Sequence, residues 1–283
     1  MIFRTLVPAF YLIAASFVAT AQAQEIAITL DDLPYIMPSR TSPAEGLAQV
    51  EAVNRALAAH KITATGFVVG RQLNRRSIPA LRAFADAGHT VGNHSWSHPD
   101  YGRLTLEEFH DETARTDAAI SEWLGDGPHQ YRFPYLREGE TEAAKTAADA
   151  VLTGLGYVNV PVTIDNDEWR FNADYLTALD VGDSAAAKQI AAQYIAHMQD
   201  RTAHFQTLAQ GALGRDVKHI LLLHMNRINA DHLGDLLDWY AAEGWTFITV
   251  ENAMSDPLIA APDLYAGPRG LSQIERMMGR KSE

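Results

Sequence analysis

Five short segments hold the residues whose types and spacing could do chemistry. Asp31 and Asp32 stand side by side after an apolar run, Thr29-Leu30-Asp31-Asp32-Leu33-Pro34. Adjacent carboxylates repel unless a cation or an arginine compensates, so the pair is either a solvated turn or one metal ligand beside a general base. His94 and His98, in His94-Ser95-Trp96-Ser97-His98-Pro99, share the three-residue gap of many zinc sites. They would meet on one face if the loop made a helical turn; otherwise Asn93 and the serines are turn and cap residues. Arg132-Phe133-Pro134-Tyr135 places a guanidinium at a strand end, where it could serve a buried acid or merely a surface one. Asp165-Asn166-Asp167-Glu168-Trp169 puts acids beside an indole, and Leu221-Leu222-Leu223 runs into His224. The first could be a solvated turn and the second a structural histidine.

The elements that must position these groups follow from periodicity. Strand-like runs cover 26–30, 63–69, 89–93, 131–133, 157–164, 219–224 and 246–250, and each candidate group sits at or just past the end of one. Between them, helical spacing covers 43–60, 78–87, 106 to about 125, 141–155, 184–213 in two pieces, and 232–242. Thr105 and Glu108 form a capping box. About seven strands alternating with helices imply an α/β fold with a parallel sheet in one domain over residues 24–283. In such folds the chemistry gathers at the carboxyl ends of the strands.

Composition narrows the function. With 23 Lys+Arg against 35 Asp+Glu, the net charge of −12 argues against nucleic acid as a partner, which needs a basic face. The chain has no cysteine, so a metal site must use His, Asp or Glu. Residues 1–23 read as a cleavable signal peptide: Arg4, an apolar run from Leu6 to Val18, then Ala21-Gln22-Ala23. The run is short of the ~20 residues that span a bilayer. Export to the periplasm or medium, without a stable membrane anchor, is the expectation.

In order, the five segments resemble the polysaccharide deacetylase family, the NodB-homology or family 4 carbohydrate esterases. Thr29–Pro34, His94–Pro99, Arg132–Tyr135, Asp165–Trp169 and Leu222–His224 match its five motifs. The resemblance implies a distorted (β/α) barrel of about seven parallel strands and a role for each matched residue. Asp32, His94 and His98 would hold one divalent metal, zinc being expected. Asp31 would be the general base, paired with Arg132, and His224 the general acid, oriented by Asp165. The Tyr135 amide would bind the oxyanion, and Leu222 would wall the acetyl pocket. Trp169 could stack on a sugar face. The implied reaction is N-deacetylation, or O-deacetylation, of an acetylated glycan or oligosaccharide.

The sequence departs from the pattern in two places. Leu33 replaces a glycine, which could narrow the approach to the metal, and Glu168 replaces an aspartate. The helical stretch 184–213 could also cover part of the groove. Two other readings remain: a glycan-binding protein without turnover on the same fold, and a C–N hydrolase acting on a non-sugar amide.

Overall fold

Strand β1, Glu25–Leu33, is the axis of the molecule. Its residues from Ile26 to Leu30 are wholly buried, as a parallel strand covered on both faces requires. One edge pairs in parallel with β6, Lys218–His224, with Asp31 opposite His224. The other edge pairs with β2, Thr65–Val68, and lower down with β7, Thr246–Ile248. From β2 the sheet continues through β3, Thr90–Asn93, and β4, His129–Tyr131, to β5, Tyr157–Asn159. This computed structural model describes residues 24–36 and 41–279. The expected signal segment, 1–23, lies outside the described residues.

The sheet closes through one stretch of chain. The Val160 amide donates to Tyr131 on β4 at 2.8 Å, and the Ile164 amide donates to Ile220 on β6 at 3.1 Å. A single strand over 157–164 is therefore corrected to β5 plus an isolated parallel bridge at Ile164. Pro161 stands between the two and has no amide hydrogen for a ladder. The result is the expected distorted (β/α) barrel, closed by a broken strand.

Helices α1 (Pro43–Ala59), α2 (Ile78–Asp86), α3 (Leu106–Ile120) and α4 (Glu142–Gly154) pack outside the first half. Both halves of the Thr105–Glu108 capping box form. Beyond β5 come α5 (Trp169–Asp180), α6 (Ser184–Leu213), α7 (Arg227–Ala242), α8 (Val250–Ala253) and α9 (Gln273–Met277). Helix α5 was not expected. Asn172, Tyr175 and Ala178 line its buried side and fix by packing what weak propensity left open. Helix α6 is one piece rather than two, ending at Gly214 in the left-handed region. Among the described residues, no helix is long and apolar enough to cross a membrane.

Candidate active site

Four strands of the barrel deliver polar groups to their carboxyl ends. Asp31 and Asp32 come from β1, His94 follows β3, Arg132 follows β4 and His224 ends β6. The backbone there is strained. Asp32, Ser95, His98, Tyr135, Leu136 and Asp167 all have φ between 55° and 65°, a region that costs non-glycine residues energy and that clusters at functional sites.

Asp32, His94 and His98 converge. Asp32 Oδ1 lies 3.6 Å from His98 Nε2 and 3.9 Å from His94 Nε2, and all three ligand atoms fall within 4.8 Å of one another. Donors around a tetrahedral zinc at about 2.0–2.1 Å stand about 3.3 Å apart, so the set fits a small dication after a slight contraction. The donor chemistry fits too. His94 Nδ1 sits 2.8 Å from the Arg132 carbonyl. A carbonyl only accepts, so Nδ1 carries the proton and Nε2 presents its lone pair inward. Burial and neighbouring His94 push His98 down to about 4, against the pull of Asp32 and Asp31, which keeps it neutral as a ligand must be.

The loop bearing the two histidines does not make a helical turn, yet it still brings them together. Ser95 and His98 are left-handed, and Glu112 on α3 holds the loop instead. Its carboxylate accepts from Ser95 Oγ (3.0 Å), Ser97 N (2.6 Å) and Ser97 Oγ (3.0 Å). Sequence reasoning missed Glu112. Its only signal was a position three residues beyond Phe109 and next to Thr113, on the edge of the buried stripe of α3.

Asp31 and Arg132 are both buried. Arg132 Nη1 donates to Asp31 Oδ1 at 2.9 Å and to Thr29 Oγ1 at 2.6 Å, while Nε donates to the Val160 carbonyl at 3.2 Å. Its guanidinium also lies 4.3 Å from the centre of the Phe67 ring. Burial disfavours a charged Asp31, but Arg132, His94 and His224 outweigh it and hold the carboxyl below its usual value. Asp31 is thus an anion, with Oδ2 3.6 Å from His94 Nε2.

On the far side, the structure corrects the partner of His224. Asp165 does not meet the imidazole: its Oδ1 accepts from the Asn166 amide, and Arg201 Nε donates to its carbonyl. Burial, Asp167 and Glu275 raise its pKa against the Asn166 amide and Arg201. Glu168 stands there instead, fully buried, with Oε1 3.4 Å from His224 Nδ1. It accepts from the His224 amide (2.7 Å), from Asn229 Nδ2 (2.7 Å) and from Asn226 Nδ2 (3.3 Å). Burial works against a charged His224, but Glu168, Asp32 and Asp31 prevail and push it up to about 10.

The remaining expectations divide. Tyr135 is exposed, its ring edge-on to His98 at 4.5 Å. The two rings border a 360 Å³ hollow with Pro99, Asp100, Arg103 and Arg137. Leu222 forms a small apolar cluster with Leu136 and Val162. Trp169 is half exposed at the start of α5, with Arg170 over its ring at 5.3 Å. Leu33 does not narrow the approach to the metal ligands. It is fully buried, and its Cδ2 lies 2.4 Å from where a Cβ on Gly66 would be. The side chain points into the core and fills the space over that glycine.

A parallel barrel with its polar groups at the carboxyl rim is the NodB-type (β/α) fold. The profile of the polysaccharide deacetylase family matches residues 19–157, and the chain belongs to that family. It is 25% identical over 175 residues to a peptidoglycan-N-acetylglucosamine deacetylase of Bacillus cereus, covering 60% of this chain and 56% of that one. The chain thus spans little over half of that relative's length. In fold it is similar to a family 4 carbohydrate esterase from Streptomyces lividans solved with acetate, with a TM-score of 0.53 and 22% identity over 81% of this chain and 95% of the other. It is equally similar to a family 4 pseudoenzyme from Bacillus anthracis, with a TM-score of 0.55 and 16% identity over 82% and 66%. The family match ends at the start of β5. Asp31, Asp32, His94, His98, Arg132 and Tyr135 lie inside it, and Glu168 and His224 beyond it.

Proposed function

We propose that this chain is an exported, metal-dependent deacetylase that removes N-acetyl groups from an amino-sugar glycan; O-acetyl groups would leave by the same chemistry. One observation carries the reading. Asp31 and His224 face each other in register on adjacent strands, and each has its own buried partner holding it charged, Arg132 for the acid and Glu168 for the imidazole.

Asp32, His94 and His98 would hold the divalent cation, zinc being expected, which when bound supplies an acidified water and a polarised acetyl carbonyl. Asp31, an anion with Oδ1 on Arg132 and Oδ2 turned toward the site, would take the proton of the water that attacks the acetyl carbon. The Tyr135 amide has no acceptor among the described residues, so it is available to the oxyanion. His224, a cation, gives its proton to the amine as the carbon–nitrogen bond breaks. The products are acetate and a free amino sugar. A base and an acid of opposite duty need separated environments, and Arg132 and Glu168 provide them.

The Bacillus cereus relative points to peptidoglycan N-acetylglucosamine as the first substrate to try. Purified zinc-loaded protein should release acetate from peptidoglycan fragments, chitin oligomers or acetylated xylan, and a chelator should stop it. Stoichiometric zinc with no acetate from any of them would favour a glycan-binding protein.

A further inference from the structure

We propose that the C-terminal segment 262–278 is a strap that positions the turn carrying the Tyr135 amide, with Gly270 and Arg276 as positioning residues. The inference rests on the reading above, in which that amide binds the oxyanion. It concerns a stretch of chain outside the family-matched residues 19–157.

The turn needs an external hold. Tyr135 (φ 58°, ψ 13°) and Leu136 (φ 55°) are consecutive non-glycine residues in the left-handed region, and such conformations persist only where the surroundings over-determine them. Within the turn, only the Leu136 and Arg137 amides are engaged, by the Phe133 and Pro134 carbonyls. Outside it, the Tyr135 ring rests on His98, Leu136 packs with Val162 and Leu222, and Arg137 pairs with Asp100; the strap adds a backbone contact and a buried ion pair.

Gly270 lies backbone against backbone on the turn. A Cβ there would stand 1.8 Å from the Tyr135 carbonyl oxygen and 3.0 Å from Leu136 Cβ. Gly270 is not itself left-handed, so an alanine is excluded by space alone. Two residues past the turn, Glu138 pairs with Arg276, which is buried on α9, at 3.2 Å. Arg276 Nε also donates to Asp263 at 3.0 Å, and Lys145 of α4 reaches Asp263 at 3.0 Å and the Tyr265 carbonyl at 2.8 Å. Further along, the Gln273 amide donates to Val162 at 2.7 Å, and Val162 packs with Leu136 and Leu222. The strap thus touches the turn, the acid after it and the wall of the acetyl pocket. None of these contacts involves Asp32, His94 or His98.

The test uses the full zinc-loaded protein with Gly270→Ala and, as a milder change that keeps the shape of the ion pair, Glu138→Gln. Zinc affinity and KM should stay near wild type. In Gly270→Ala, kcat should fall about 100-fold, the order expected when a catalytic group is displaced by about 1 Å. Amide hydrogen exchange over residues 133–138 should rise in both variants. A merely structural strap would lower the melting temperature and leave kcat unchanged. Unchanged exchange in both variants would overturn the strap, and raised exchange with wild-type kcat would overturn its positioning role. If the wild-type protein releases no acetate, the deacetylase reading fails, while the exchange measurement still decides whether the strap holds the turn.

Discussion

Strand β6 carries two histidines with opposite fates. His219, near its amino end, is completely buried, with Nδ1 3.0 Å from Thr163 Oγ1 and its ring 5.7 Å from Trp245. Burial pushes it down to about 4, against the weaker pull of Asp216 and Asp256. His224, at the carboxyl end, is pushed up to about 10 because Glu168 shares its pocket. The residue type and the strand are the same; the difference is the carboxylates around His224, Glu168 at 3.4 Å first among them, with Asp32 and Asp31. A parallel barrel keeps stability at the amino ends of its strands and chemistry at the carboxyl ends, and the role proposed for His224 would put both on β6.

The largest effect should come from removing the imidazole at the rim. His224→Ala is expected to lower kcat by about 10²–10⁴ with zinc still bound, whereas His219→Gln should leave kcat unaltered. Acetate release and metal content on the same samples check this, and equal kcat losses would erase the contrast. Asp32→Ala or His98→Ala should release the metal instead, read as lost zinc stoichiometry after dialysis.

Next in size is the partner of His224. Glu168→Gln breaks a buried ion pair and should destabilise the fold by about 3–5 kcal/mol, measured by denaturant unfolding. Asp165→Asn should cost less, about 1 kcal/mol, the order of a single hydrogen bond. The reverse order would restore Asp165 as the partner.

The two histidines also set opposite pH dependences. His219 has a folded pKa below its unfolded value of 6.5, so its contribution is present above pH 6.5 and is lost as pH falls through about 4. His224 has a raised one, so in the metal-free protein its contribution is present below 6.5 and is lost as pH rises through about 10. Urea unfolding across pH should flatten on the acid side in His219→Gln and on the alkaline side in Glu168→Gln. The smallest effect is expected of Glu112→Gln, which should weaken zinc about 10–100-fold by loosening the His94–His98 loop.

The base side of the site was legible through the resemblance, because Asp31-Asp32 and Arg132 fall in matched motifs at the ends of strands that periodicity reveals. Residues about a hundred positions apart meet there through the parallel sheet. The acid side was less legible. Asp165 and Glu168 lie three residues apart in one acidic run, and spacing cannot say which turns inward. The left-handed Asp167 and the unforeseen start of α5 at Trp169 decide it for Glu168. Leu33 read as an obstruction because its neighbour Gly66, 33 residues on, is a tertiary fact. Glu112 was hidden for the same reason, since a carboxylate on a helix edge looks solvated until the loop it holds is known.

The most direct test of the account is the pH profile of acetate release by zinc-loaded wild-type, Glu168→Gln and Asp165→Asn proteins on N-acetylated glucosamine oligomers. The wild-type profile should be bell-shaped, with its alkaline limb moved to lower pH in Glu168→Gln and unmoved in Asp165→Asn. An alkaline limb that stays in place without Glu168, or moves without Asp165, would contradict it.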